Sequence, residues 1–144
     1  MSTLTSSAEP ANAVRSATNS RTRVIAYWVT TVLVAAELAV GAVWDLFQIP
    51  YVREVMDRLG YPHYLLIILG VWKAPAAVVL LIPGLPRLKE WVYAGAVFTF
   101  TGAAASHLAV GDAPETLIAP LIMTGLTLAS WALRPPARRG LAPS

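Results

Sequence analysis

Four long apolar stretches separated by short polar segments make up most of the chain. They cover residues 24–47, 63–82, 91–110 and 116–133. Each is close to the roughly 20 residues that an α-helix needs to cross a bilayer, and the first exceeds the core of about 7–15 residues found in a cleavable signal peptide. The pattern predicts an all-α fold, a transmembrane four-helix bundle in which short connections make successive helices antiparallel.

The first connection, residues 48–62, has a helical pattern of its own. Pro50 suits the start of a helix and Gly60 suits its end. Between them, apolar residues recur at spacings of three and four opposite a charged face. These apolar residues are Tyr51, Val52, Val55, Met56 and Leu59. The segment is predicted to be a short interfacial helix, either an anchor on the lipid headgroups, which we favour because it needs no cavity, or a lid over a cavity.

The two ends of the chain are more polar than its centre. Residues 1–22 are rich in Ser, Thr and Ala and contain no aromatic residue, so they bury too little apolar surface to offset the entropy of ordering. We therefore predict a disordered cytoplasmic tail at 1–22, a transmembrane domain at 23–134 and a second disordered cytoplasmic tail at 135–144.

Composition narrows the function classes. The chain has 144 residues, of which 56% are hydrophobic and 13% charged, and its mean hydropathy is +0.59. The charged fraction is about half the ~25% of a soluble domain, which indicates a membrane protein with no room for a separate nucleotide-binding domain. The chain has no cysteine, which excludes a cysteine nucleophile and a thiolate-held iron–sulfur cluster made by this chain alone. A redox partner would have to bring its own centre.

The basic residues predict the orientation. Eight of the eleven Lys and Arg residues flank the apolar stretches on one side, Arg53 and Arg58 lie on the other, and Lys73 lies within a stretch. Because basic flanks stay cytoplasmic, both termini are predicted to be cytoplasmic in a multi-pass protein of the cell membrane. The basic residues form no stripe with aromatic residues, so the expected partner is the lipid bilayer and not nucleic acid.

Four ionisable residues lie inside the apolar stretches: Glu37, Asp45, Lys73 and His107. Such residues usually face a bundle interior or a water-filled cavity, and they mark candidate functional sites. At 1.5 Å per residue, Glu37 and Lys73 come to similar depths on neighbouring helices, so they are expected to pair. Asp45 and His107 both lie near the outer boundary and are expected to form an acid–base unit. These are the candidate catalytic residues; the alternatives are a structural ion pair and contact with headgroup water.

Several residues near these groups are candidates for ligand binding. Gly41 and Trp44 share a helical face with the two carboxylates, Gly70 leaves space one turn before Lys73, and Trp72 and Ser106 adjoin the basic groups. No metal site is expected, because two outward histidines are weak grounds for a haem site.

The third stretch carries small residues on one face. This stripe is typical of closely approaching membrane helices, and His107 extends it. It consists of Gly95, Thr99, Gly102, Ala103 and Ser106.

Four segments of the chain resemble the DoxX-like family of small four-helix membrane proteins. They are ELAVGAVWDL (37–46), LGYPHYLLIILGVWKAPAAVVLL (59–81), RLKEWVYAG (87–95) and TGAAASHLAVGD (101–112). The resemblance implies a four-helix integral membrane protein, and the name-giving member of the family is the small membrane subunit of a thiosulfate:quinone oxidoreductase. It implies no catalytic residues, so the candidates above stand on the sequence pattern.

Three functions remain open. The first is a small membrane subunit of an oxidoreductase system, with no covalently bound cofactor, that binds a quinone or similar lipophilic molecule beside a redox partner protein or a second copy. The second is a stand-alone membrane enzyme using acid–base chemistry for isomerisation or ring closure on a lipophilic metabolite. The third is a non-catalytic assembly or transport subunit, although two transporter repeats need more spans than one copy provides. The family resemblance favours the first.

Overall fold

The protein is entirely helical in the computed structural model, which describes residues 8–135. Five α-helices follow one another with no strand in this range. They are α1 (Ala8–Phe47), α2 (Pro50–Leu59), α3 (Tyr64–Leu81), α4 (Pro86–Ala109) and α5 (Ile118–Leu133), with a 3-10 turn at Pro114–Leu117. The predicted all-α fold is confirmed.

Three segments are long and apolar enough to cross a membrane: Ala17–Phe47, Tyr64–Leu81 and Pro114–Leu133. The predicted span at 91–110 does form a helix, α4, but α4 is not among the three, because its Gly, Ser and Thr residues dilute its apolar content. Large apolar side chains such as Phe98 and Trp91 are about three-quarters exposed, at 75% and 77%. A surface of this kind belongs in lipid, and the chain is a membrane protein.

α1 extends further toward the N-terminus than predicted. It begins at Ala8, although residues 1–22 were expected to be disordered. Helix propagation from an established helix costs little, and the alanines of this segment have the highest helix propensity. Residues 1–7 and 136–144 lie outside the described residues, so the tails predicted there stay predictions.

α1 is the centre of the bundle. It packs on α3 and on α5, and α4 packs on α5, whereas α3 and α4 touch little although a short turn joins them. α1 and α3 approach each other closely at Gly70, where an added Cβ would lie 2.6 Å from Leu46 Cγ and 3.1 Å from the Ala42 carbonyl oxygen. The buried core lies between α1, α3 and α4, and consists of Val34, Ala35, Leu38, Ala77, Leu80, Tyr93, Ala96 and Phe100.

α2 has the ends predicted for it. Pro50 opens the helix, and Gly60, at φ 74°, ends it in a left-handed conformation that glycine adopts without strain. The Gly60 and Tyr61 amides donate to the carbonyls of Asp57 and Met56, at 3.2 and 2.9 Å. We call the end of the bundle that carries α2 the α2 end, and the opposite end, at the turn between α3 and α4, the Lys89 end.

Lys89 closes the C-terminus of α3. Its side chain is fully buried, and Nζ donates to the carbonyl oxygens of Leu80 at 3.1 Å and Ile82 at 2.6 Å, and also to that of Val79. The last carbonyls of a helix have no partners within the helix, so the ammonium satisfies groups that would otherwise be buried without hydrogen bonds. This lysine, counted above as an orientation signal, also stabilises the fold.

A buried hydrogen-bond chain joins three helices near the Lys89 end. The Tyr93 hydroxyl of α4 lies 2.8 Å from Ser130 Oγ of α5, which lies 2.7 Å from Thr31 Oγ1 of α1. Beside it, the Glu90 carboxylate accepts from Trp131 Nε1 at 2.8 Å and from the buried Arg134 guanidinium. These contacts hold the helix ends together, away from the candidate site.

Candidate functional site

A cavity of about 660 Å³, the polar cavity, lies toward the α2 end and is lined by residues from α1 to α5. All four candidate catalytic residues line it: Glu37, Asp45, Lys73 and His107. Residues from three helices, separated by up to 70 positions in the chain, therefore face one space. The cavity is large enough for a drug-sized molecule.

An ion pair between α1 and α3 forms one wall of this cavity. Lys73 Nζ lies 2.7 Å from Asp45 Oδ2, and the two side chains are only 18% and 5% exposed. Gly41 makes room for the lysine, because a Cβ there would lie 3.2 Å from Nζ. Pairing offsets the cost of holding both charges away from water.

The predicted pairing of Glu37 with Lys73 is wrong. Lys73 lies opposite Gly41, which is one helical turn from Glu37 and one turn from Asp45 on the same face of α1. The lysine extends toward the α2 end and pairs with Asp45. Glu37 lines the polar cavity, and within the described residues its carboxylate has no hydrogen bond or ion pair.

The predicted pairing of Asp45 with His107 is also wrong. His107 Nδ1 lies 2.6 Å from Asp112 Oδ2, and Arg58 of α2 lies 3.9 Å from the other oxygen of Asp112. Gly111, at φ 72°, turns the chain back, so that the Asp112 amide donates to the His107 carbonyl at 3.0 Å. The sequence analysis missed Asp112 as a partner, although SHLAVGD places both residues in one short segment.

α2 covers the polar cavity. Its four half-buried residues line the cavity on one helical face: Val52, Val55, Met56 and Leu59. The next residue after the helix cap, Tyr61, places its hydroxyl 2.9 Å from Ser106 Oγ of α4. These contacts are those that the lid interpretation requires, while no residue of α2 is fully buried, and the anchor on the lipid headgroups stays a prediction.

The small residues of α4 shape cavities and do not bring helices together. A Cβ added at Gly95 or Gly102 would meet nothing within 4 Å. Gly102, Ala103 and Ser106 line the polar cavity instead. The expectation of close helix packing along this stripe is therefore wrong, because the helix it faces, α3, stands away from α4.

The other candidate ligand-binding residues lie in four different environments. Gly41 lies beneath Lys73, and Gly70 is buried against Leu46. Trp44 lies outside both cavities described here and packs edge-on against Tyr51, with ring centroids 6.0 Å apart. Trp72 is 72% exposed and lines a second cavity. Only Ser106 of this group lines the polar cavity.

The second cavity, the apolar groove, has a volume of about 430 Å³ and lies between α3 and α4 with Leu38 of α1 at its base. It adjoins the polar cavity, since Leu69, Lys73 and Thr99 line both. From there it runs toward the Lys89 end. The rest of its lining is almost wholly apolar: Trp72, Pro75, Ala76, Val79, Leu88, Trp91, Val92, Gly95 and Ala96.

The polar cavity combines groups that can hold and transfer protons. Asp45 with Lys73 and His107 with Asp112 form two acid–base pairs, and Glu37 adds a carboxylate. Among the described residues there is no cluster of three or more His, Cys, Asp or Glu side chains arranged around a metal ion. These proton donors and acceptors lie beside apolar lining residues such as Leu66, Phe100 and Met123, so the cavity offers both hydrogen bonds and apolar contacts to a ligand.

A comparison with protein families finds a match to the model of the DoxX-like family over residues 29–130. The match begins within α1, ends within α5 and includes all four candidate catalytic residues. Neither the curated proteins nor the solved structures include one that matches the chain.

Proposed function

The chain belongs to the DoxX-like family, and from that premise we propose that it is a small membrane subunit of an oxidoreductase system that binds a quinone or similar lipophilic molecule in the polar cavity. The observation that supports this proposal is the placing of Glu37, Asp45, Lys73 and His107 around one cavity within a membrane bundle. Placing charged groups inside a membrane costs free energy. A ligand that exchanges protons with these groups accounts for their presence there.

The reduction of a quinone requires proton donors, and the side chains that line the polar cavity include such donors. Reduction of a quinone to the quinol takes two electrons and two protons, one proton on each carbonyl oxygen. In the proposed reaction, the Lys73 ammonium and a protonated His107 donate toward the two oxygens, and Asp45 and Asp112 hold these donors in place. The electrons come from a redox centre on a partner protein, since the chain has no cysteine to hold a cluster.

The proposal includes a topology of four spans. We assign α4 as the remaining span, because its 24 residues extend over about 36 Å at 1.5 Å per residue, enough to cross roughly 30 Å of hydrocarbon. The basic residues gather at the Lys89 end and in the tails. The Lys89 end is therefore assigned to the cytoplasmic side of the cell membrane and the α2 end to its outer side.

Binding of a quinone analogue to the protein purified in mild detergent tests this function. Lys73→Met and Glu37→Gln should each weaken binding by about tenfold or more, the value of a hydrogen bond to a charged group. Glu37→Gln breaks no contact of the described residues, so it tests the site without loss of folding. Its matched control, Glu54→Gln on the charged face of α2, should bind normally. Unchanged affinity in both cavity variants would contradict the proposal.

A stand-alone acid–base enzyme is the second candidate. The observation that favours it is His107, which lines the polar cavity and lies 2.6 Å from the carboxylate of Asp112, because a carboxylate orients a histidine for proton transfer. This function predicts turnover of a lipophilic metabolite without a partner protein. His107→Gln should then abolish turnover while His63→Gln, at an exposed pair with Asp57, retains it.

A further inference from the structure

The apolar groove and the polar cavity together have the shape of a site for a molecule with two unlike parts. They meet at Leu69, Lys73 and Thr99. On one side of Lys73 lie the carboxylates and the histidine, and on the other side the groove is lined by aliphatic and tryptophan side chains. Lys73 thus marks the boundary between polar and apolar surroundings.

Because the two cavities adjoin at these shared residues, we infer that the ligand is a long-chain quinone whose ring lies in the polar cavity and whose polyprenyl chain lies in the apolar groove. The inference rests on the proposed function and specifies its substrate class. Along α4 the groove extends from Leu88 to Thr99, roughly 16 Å at 1.5 Å per residue. A chain of this length buries apolar surface that a ring alone leaves uncovered.

The groove also gives the ligand a path from the bilayer. α3 and α4 touch little, and the exposed side chains of Trp72 and Trp91 flank the opening between them. A lipid-dissolved molecule can therefore move sideways between the two helices, ring first, without crossing the headgroup region. Pro75 lines the same opening, and its missing amide prevents a regular hydrogen-bond ladder in α3 at that level.

Three glycines permit a matched test. Added Cβ atoms at Gly95, Gly102 and Gly125 meet nothing within 4 Å, so Gly→Leu at each replaces open space with an apolar side chain and raises helix propensity equally. Gly95 lines the apolar groove and Gly102 lines the polar cavity, whereas Gly125 of α5 lines neither. The affinities of a tail-less quinone and a polyprenyl quinone with the same ring are measured in detergent for each variant.

Gly95→Leu should weaken binding of the tailed quinone about tenfold, the loss expected from excluding about two methylene groups. Its affinity for the tail-less quinone should not change. Gly102→Leu should weaken binding of both quinones, and Gly125→Leu should change the affinity for neither. If Gly95→Leu affects both equally, or neither, the chain does not lie in the groove, while the proposed function stands. If the unmodified protein binds no quinone, both fail. If added phospholipid removes the advantage of the tail in the unmodified protein, a bilayer acyl chain occupies the groove and the inference is overturned.

Discussion

At the scale of single residues, the choice of partner by Lys73 determines how the site is arranged. Its ammonium lies above Gly41, between two carboxylates that are each one turn away on α1, and it pairs with Asp45. A lysine side chain spans about one helical turn, so small differences in helix register select its partner. Asp45 is nearly buried, and removing the lysine would strand its charge.

Asp45→Asn and Lys73→Met should each destabilise the protein, by up to about 3 kcal/mol, because each leaves one charge without its partner. The double variant should lose less stability than the sum of the losses in the two single variants, with a coupling free energy of about 1–3 kcal/mol. The free energy of unfolding is measured in mixed detergent micelles for the unmodified protein, the two single variants and the double variant. Asp57→Asn with His63→Gln provides an exposed control pair, where coupling should stay below about 1 kcal/mol. Additive effects at Asp45 and Lys73 would contradict the ion pair.

Lys89 and Arg87 offer a second comparison between neighbours. Lys89→Met removes the donor to three carbonyls at the end of α3 and should cost about 3 kcal/mol or more, since hydrogen bonds from charged groups are strong. Arg87→Met, at an exposed position of the same helix start, should change stability by at most about 0.5 kcal/mol. The unfolding measurement used above distinguishes them, and equal losses would show that Lys89 is not the cap.

At the scale of elements, α2 has a role that its sequence pattern leaves open. An apolar face can rest on headgroups or on protein, and α2 places it over the polar cavity. Two contacts beyond its apolar face hold it there, Tyr61 with Ser106 and Arg58 with Asp112. Both are exposed and weak compared with the packing of α1 on α3, so α2 is the element best placed to open.

Tyr61→Phe tests the attachment of α2. Loss of one hydrogen bond, worth about 1 kcal/mol, should speed amide hydrogen exchange of α2 about fivefold without changing exchange in α3. Tyr64→Phe, at an exposed tyrosine three residues further along, is the matched control and should leave α2 exchange unchanged. Equal exchange in both variants would mean that Tyr61 does not hold the lid.

At the scale of the whole molecule, the question is how many helices cross the bilayer. Three segments meet the requirement by length and hydropathy, and α4 supplies part of both cavities. If α4 also crosses, Asp57 and Glu115 lie on one side of the membrane and Arg87 on the other. If it does not, Arg87 and Glu115 lie on the same side.

The absence of native cysteines makes this question directly testable. Single cysteines introduced as Asp57→Cys, Glu115→Cys and Arg87→Cys all lie at exposed positions. In intact cells a membrane-impermeant thiol reagent should label the first two and spare the third until the cells are permeabilised. Labelling of Arg87→Cys together with Glu115→Cys would exclude four spans, and labelling of Arg87→Cys alone would reverse the proposed orientation.

Sequence patterns predicted the elements well because helix formation and hydropathy are local properties. The positions of α2 and its caps follow from Pro50, Gly60 and the spacing between them. The family match over residues 29–130 confirms the resemblance carried by the four sequence segments. α1 begins at Ala8, ahead of the apolar stretch at 24–47, since low apolar content does not stop a helix that is already formed.

Partners within the site were not predictable in the same way. Counting residues from the ends of two helices gives depth only to within a turn, and one turn, about 5.4 Å, separates Glu37 from Gly41 and Gly41 from Asp45. The stripe from Gly95 to Ser106 shows the same difficulty, because small residues are compatible with a tight contact and with an open cavity.

Composition and periodicity were enough to predict that this chain is helical, that it belongs in a membrane, and which four ionisable side chains lie within its apolar segments, because these properties are local. The pairing of Lys73 with Asp45, the pairing of His107 with Asp112 and the two adjoining cavities beside α3 and α4 emerge only from the packing of the helices. Those outcomes depend on the register and spacing of whole helices, which the close packing of α1 against α3 at Gly70 sets.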